Sequence, residues 1–286
     1  MAFLLVLAAA AVNQFESILI KKYNERYDKG GMIFTSVVSL FSMLFFVIAD
    51  LVADENKFTF TPEIVLCGAV AGVAFCAASV LTFVALGCGS FVLTRLVLSY
   101  GVLIAVFHGL FLGERLSAFG IAGVALVLVS LFLVKGKDEG TVKTTKKWVI
   151  TIGLSVLLAG AFGILQRQQQ RRFDHFYDNE FMMIALGVSA VILFIGGLIK
   201  DGRDVGYILV KGGPYACGAG LSNGATNFLT LFAYSLAPMS IVAPLNSGAG
   251  IVVSFIVAKL LFREKFSALQ YVGVVLGGVA LILFNL

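Results

Sequence analysis

The sequence predicts an all-α integral membrane protein whose ten transmembrane helices form two inverted five-helix repeats. Two observations support this fold class. The 286 residues are 59% hydrophobic and only 13% charged, whereas about a quarter of the residues of a soluble domain are charged. In addition, the two halves of the chain align without a gap at an offset of 150 residues.

The apolar runs reach the length of about 20 residues that a helix needs to cross a bilayer. Lipid offers no hydrogen-bond partner to the backbone, so these runs must be helical. The first run has an internal counterpart in the repeat, which favours a helix over a signal peptide. We predict helices 1 to 10 at residues 2–20, 31–52, 63–87, 90–112, 116–134, 148–167, 181–199, 213–236, 240–262 and 267–285.

The 150-residue offset matches polar residues as well as apolar ones. It pairs Asp28 with Asp178, Cys67 with Cys217, Ser90 with Ser240, Glu114 with Glu264 and Ser117 with Ser267. We therefore divide the chain into a first repeat at 1–136, a polar linker at 137–147 and a second repeat at 148–286. Five helices per repeat place the second repeat in the opposite orientation, an arrangement common in secondary transporters.

Two segments carry a family resemblance. Residues 85–134 and 234–286 each contain a helix, then Gly or Arg, Glu, a basic residue, an apolar residue and Ser, and then a glycine-containing helix. Both resemble the drug/metabolite transporter superfamily, EamA type, and the resemblance covers essentially the whole chain. It implies ten helices around a central cavity lined mainly by helices 1, 3, 4, 6, 8 and 9. It implies no particular solute.

Helix 8 carries the clearest polar pattern. Asn223, Asn227 and Tyr234 lie within about 40° of one another at 100° per residue. A polar stripe inside a membrane faces either a neighbouring helix or a water-filled path. Both interpretations stay open, and we treat the three residues as candidate solute ligands.

Helix 4 contributes Arg95, with Ser99 four residues later on the same face. A cation inside the membrane costs roughly 2.5 to 3.5 kcal/mol unless it reaches the interface or a partner. Arg95 therefore either extends to the headgroups, binds an anionic group of the solute, or pairs with Glu16.

Helix 1 carries Gln14 and Glu16, and Gln166 of helix 6 is the counterpart of Glu16 in the repeat. Small multidrug exporters of the same superfamily have an essential acidic residue about two turns before a lysine. The matching positions here are amides, Asn13 and Gln14, which weakens that comparison. Glu16 is either a coupling carboxyl group, because burial favours its neutral form, or a headgroup-level partner of Lys or Arg.

Asn246 of helix 9 lies beside Pro244, where an interrupted helix frees backbone groups to face a cavity. The proline is equally compatible with a helix start. Glu114 and Glu264 stand at turns between helices and are interpreted as turn or cap residues.

The sequence contains no enzyme motif and no nucleotide-binding loop. We expect no catalysis, no metal and no cofactor. The partners expected are a small-molecule solute and membrane lipid, with no nucleic acid, in a monomer or homodimer. The leading hypothesis is a gradient-driven transporter of a small polar metabolite such as an amino acid, working by export or exchange. The alternatives are a proton-coupled exporter of lipophilic cations and a non-transporting membrane scaffold.

The distribution of charge bears on orientation. Connectors after helices 1, 5, 7 and 9 carry more Lys and Arg than those after helices 2, 4 and 6. The positive-inside rule then places both termini outside the cytoplasm, whereas the family resemblance implies termini inside. We expect a multi-pass protein of a bacterial plasma membrane, with the charge count favouring termini outside.

Overall fold

A computed structural model describes residues 2–27, 30–52, 58–89, 91–99, 101–111, 113, 117–134, 145–202, 204–261 and 267–283. These residues form helices joined by short connectors. The helices are α1 (Ala2–Tyr27), α2 (Gly31–Val52), α3 (Pro62–Cys88), α4 (Phe91–Ser99), α5 (Gly101–Phe111), α6 (Ala118–Val134), α7 (Lys146–Phe173), α8 (Asp178–Asp201), α9 (Val205–Leu236), α10 (Met239–Leu260) and α11 (Ala268–Leu283).

Six of the described helices, α1, α2, α3, α7, α8 and α10, are long and apolar enough to cross a membrane. The helices α6 and α11 are shorter and apolar, and they pack against each other. The predicted class, an all-α integral multi-pass membrane protein, is confirmed.

The described parts of predicted helix 4 are helical as predicted, α4 before Tyr100 and α5 after it, and Tyr100 itself lies outside the described residues. Predicted helices 1, 6 and 8 were too short: α1 continues to Tyr27, α7 to Phe173, and α9 begins at Val205. Hydropathy marks only the apolar part of a helix, and these helices continue through polar residues. Glu114, Glu264 and most of the predicted linker lie outside the described residues, so the domain boundaries stay a prediction.

The packing follows the 150-residue offset. Helix α2 packs along α8, and the hydroxyl groups of Ser39 and Ser189, which are equivalent in the repeat, lie 3.1 Å apart. The pairs α1 with α9 and α3 with α7 are likewise equivalent and both in contact. Two equivalent polar atoms can meet in this way only near the axis that relates the halves.

Glycines allow these helices to approach closely. A Cβ at Gly72 of α3 would lie 3.0 Å from Cβ of Val188, and one at Gly220 of α9 would lie 2.5 Å from the carbonyl oxygen of Val38. Val38 and Val188 are equivalent in the repeat. Small residues at helix interfaces are typical of membrane bundles, and these two glycines bring α3 and α9 against α8 and α2.

We predict that Gly220→Ala destabilises the protein by about 1–3 kcal/mol, because the added methyl group overpacks the interface of α9 with α2. Thermal unfolding in detergent measures the change. The control is Gly153→Ala in α7, where an added Cβ meets nothing within 4 Å. That change raises or preserves the unfolding temperature, since alanine favours helix over glycine. Equal effects of both substitutions would contradict the close approach.

Candidate functional site

The helices enclose a central cavity of about 300 Å³. Its walls come from α1, α2, α3, α4, α7, α9 and α10. The lining residues of α1, α7 and α10 lie near the middle of these helices, whereas α2 contributes residues close to its start. The resemblance implied six of these helices, and the structure adds α2 through Phe34, Thr35 and Val38.

Aromatic rings bound the cavity on two sides. Phe34 and Phe83 line it with their centroids 5.4 Å apart, and the buried ring of Tyr23 stacks on Phe34 at 4.2 Å. Elsewhere in the wall, Phe75 and Phe162 lie 5.0 Å apart. These rings give the cavity apolar surface beside its polar groups.

Two charged residues among those described line the cavity, Glu16 of α1 and Arg95 of α4. Their charges attract each other. A buried charge is tolerated only when it is paired and hydrogen-bonded. Of the alternatives that the sequence left open, this placement favours the cavity over the headgroups for both residues.

Asn223 of α9 holds the carboxylate of Glu16. Its Nδ2 donates to both carboxylate oxygens, at 3.1 and 3.2 Å. Its Oδ1 accepts from Nδ2 of Asn227 at 3.1 Å, and it lies 3.1 Å from the hydroxyl group of Ser42, which is nearer still to two backbone oxygens. Asn227 in turn accepts from Nε2 of Gln166 at 3.4 Å. A carboxylate can only accept hydrogen bonds. Asn223 must therefore turn its NH₂ group towards Glu16, which leaves its oxygen to accept from Asn227.

Helix α10 contributes Asn246 and the backbone of Gly250, whose carbonyl oxygen accepts from Nε2 of Gln14 at 3.4 Å. Oε1 of Gln14 and the hydroxyl group of Thr226 are buried at the cavity without a hydrogen-bond partner among the described residues. Most buried polar atoms in proteins are hydrogen-bonded. These two atoms therefore indicate a place where a bound molecule or water is held.

The structure brings most of the predicted site residues together at the cavity: Gln14, Glu16, Arg95, Asn223, Asn227 and Asn246. Gln166 contacts this set from outside the lining. Tyr234 does not belong to it. The Tyr234 side chain is buried, with the guanidinium group of Arg167 6.0 Å from its ring centroid, and its backbone oxygen accepts from Arg167 at 3.2 Å. Ser99 ends α4, but its side chain lies outside what the structure describes.

The structure also adds polar residues that sequence reasoning missed. Ser42 supports Asn223, while Ser79, Thr82 and Thr226 line the cavity. Thr226 could have been found, because it falls three residues after Asn223 on the same helix face. Single hydroxyl groups in apolar helices otherwise carry no pattern, since they bond the backbone of their own helix as often as a ligand. Among the described residues, no three His, Cys, Asp or Glu side chains converge as in a metal site.

Comparisons with known proteins complete the description of the site. A family model described as the EamA-like transporter family matches residues 146–286. One solved crystal structure has a TM-score of 0.69 and 14% sequence identity, covering 99% of this chain and 95% of that chain. At that identity the likeness shows a shared fold. No curated protein matches the sequence.

We predict that the cavity is accessible to small thiol reagents. With the four native cysteines, Cys67, Cys76, Cys88 and Cys217, replaced by alanine, a methanethiosulfonate reagent should modify Ser79→Cys rapidly, because this side chain lines the cavity. Ser39→Cys, fully buried between α2 and α8, should react much more slowly. Mass spectrometry of the labelled protein measures both rates, and equal rates would rule out an accessible cavity.

Proposed function

The chain belongs to the EamA-like transporter family, and from this premise we propose that it carries a small zwitterionic metabolite, such as an amino acid, across the membrane. The family identifies a membrane transporter. The cavity supports the choice of solute. We propose a gradient-driven cycle of alternating access, serving export or exchange, in a bacterial plasma membrane with both termini outside the cytoplasm.

The observation that carries this proposal is that one cavity holds Glu16 and Arg95 together. A carboxylate accepts from an ammonium group, and a guanidinium group can donate two parallel hydrogen bonds to a carboxylate. The two residues attract each other, so a solute that separates them has to replace both partners. A zwitterion does so, whereas a solute of a single charge leaves one buried charge unpaired, which is costly.

The size and lining of the cavity agree with such a solute. About 300 Å³ is at the lower end of the roughly 300 to 1,000 Å³ of small-molecule pockets. The side-chain amide oxygen of Asn246, which lines the cavity, can accept a hydrogen bond from an ammonium group. The rings of Phe34, Phe75 and Phe162 offer an apolar surface for a side chain.

Export of lipophilic cations is less well supported, because the fixed positive charge of Arg95 lies in the same cavity as Glu16 and repels a cation. A non-transporting scaffold has no use for a charged cavity of this kind. The metabolite proposal accounts for both charges.

We predict that neutralising either charge selectively weakens zwitterion binding. Glu16→Gln and Arg95→Gln should each weaken binding of an amino acid by about tenfold or more, since a hydrogen bond to a charged group is worth roughly 1.5–3 kcal/mol. The N-acetyl derivative of the same amino acid lacks the ammonium group, so Glu16→Gln should affect it less. The methyl ester lacks the carboxylate, so Arg95→Gln should affect it less. Ligand-induced thermal shifts of the purified protein provide the measurement.

Thr151→Val in α7, which does not line the cavity, serves as the control variant and should bind like the wild type. Binding restricted to quaternary cations, lost in Glu16→Gln but unchanged in Arg95→Gln, would overturn the zwitterion proposal in favour of cation export.

A further inference from the structure

Positions 16 and 166 are equivalent in the repeat, yet they carry different groups, a carboxylic acid at Glu16 and a neutral amide at Gln166. The structure joins them through two asparagines of α9. Gln166 donates to Asn227 at 3.4 Å, Asn227 donates to Asn223 at 3.1 Å, and Asn223 donates to Glu16 at 3.1 and 3.2 Å. We call these four side chains the amide ladder.

The amide ladder has one direction. Each amide of the ladder donates through its NH₂ group towards Glu16, and each asparagine accepts through its oxygen from the side of Gln166. A further contact supports this direction, because Nδ2 of Asn227 also donates to the backbone oxygen of Asn223 at 3.0 Å.

Gln166 is 4% exposed and does not line the cavity. Its Nε2 lies 3.3 Å from Sδ of Met182 in addition to its contact with Asn227. Sulfur is only a weak acceptor, so the amide oxygen of Asn227 is the stronger of the two partners of this buried amide. The contact with Asn227 connects Gln166 to the cavity, because Asn227 does line it.

We propose that Gln166 is a positioning residue: it acts through Asn227 and Asn223 to hold the carboxylate of Glu16 facing the ammonium group of the solute. This inference rests on the proposed function. It adds that the two ends of the ladder have different roles: Glu16 accepts hydrogen bonds, and the neutral residue at position 166 must donate one.

The ladder explains why the two equivalent positions differ. A carboxylate at position 166 would need a donor from Asn227, whose Nδ2 already donates to Asn223. The amide ladder can direct its NH₂ donors towards one of its two ends only. A second carboxylate would therefore remove donors from Glu16 or remain without one itself.

The first test is exchange of a radiolabelled amino acid in proteoliposomes. Gln166→Met removes the donor at similar volume, and it should raise KM by about tenfold with little change in the maximal rate. The matched control is Gln169→Met, a buried glutamine of the same helix outside the ladder, which should keep the wild-type KM. In an Asn227→Leu background, Gln166→Met should raise KM less than about twofold further, because its connection to Glu16 is already lost.

A Gln166→Met protein with wild-type KM, or one in which only the maximal rate and the stability fall, overturns the positioning role. Additive effects of Gln166→Met and Asn227→Leu on KM also overturn it.

The second test needs no solute and measures thermal unfolding of the purified protein. Glu16→Gln should lower the unfolding temperature less in a Gln166→Glu background than in the wild type, because the ladder then serves a single carboxylate. Asn227→Leu should abolish this coupling between positions 16 and 166. A coupling that persists without Asn227 would be direct charge repulsion and would overturn the ladder.

The two tests separate the two claims. If the wild type carries and binds no zwitterion, the proposed function fails, and with it the role towards an ammonium group. The unfolding cycle still decides whether Gln166 positions Glu16.

Discussion

The site depends on one constraint: a carboxylate and a guanidinium group inside a membrane bundle must balance each other's charge. Glu16 and Arg95 come from α1 and α4 and face one cavity. Lipid supplies no hydrogen bonds, so the protein must supply them, and α9 does so through Asn223. The long contact of α1 with α9 holds donor and acceptor in register. The packing of the repeat and the chemistry of the cavity are thus parts of one arrangement.

Much of the fold could be predicted from the sequence because lipid imposes a simple rule. Apolar runs of spanning length must be helices, and α2 at Gly31–Val52 begins and ends as predicted. The rule fails where a helix continues through polar residues, as α1 does to Tyr27.

The site could be predicted only in part, because a helical wheel gives direction around a helix but not depth along it. Asn223 and Asn227 share the face that meets the cavity. Tyr234 lies on nearly the same face seven residues later, about two turns along the helix, where it is buried beside Arg167 and not in the cavity lining. Gln166 was found through the repeat, which gave its equivalence to Glu16. The contact of Ser42 with Asn223 depends on how α2 packs against α9, and the residues of neither helix indicate that packing by themselves.

The structure combines a symmetric frame with an asymmetric interior. The frame keeps equivalent contacts: the rings of Tyr23 and Tyr27 lie 5.3 Å apart, and those of Phe173 and Tyr177, their counterparts, lie 5.4 Å apart. A solute bound near the axis of such a frame meets two equivalent halves and could bind in two opposite orientations. Side chains that differ between the halves, such as Glu16 and Gln166, remove this degeneracy.

For a zwitterion the two orientations are not equivalent, because its two ends need partners of opposite charge. With a carboxylate at position 16 and an amide donor at position 166, the ammonium group has one favourable end of the cavity, and Arg95 attracts the opposite charge. In the proposed cycle the frame can rock symmetrically while the solute keeps a single orientation. The difference between two equivalent residues is then what gives a symmetric transporter a polar site.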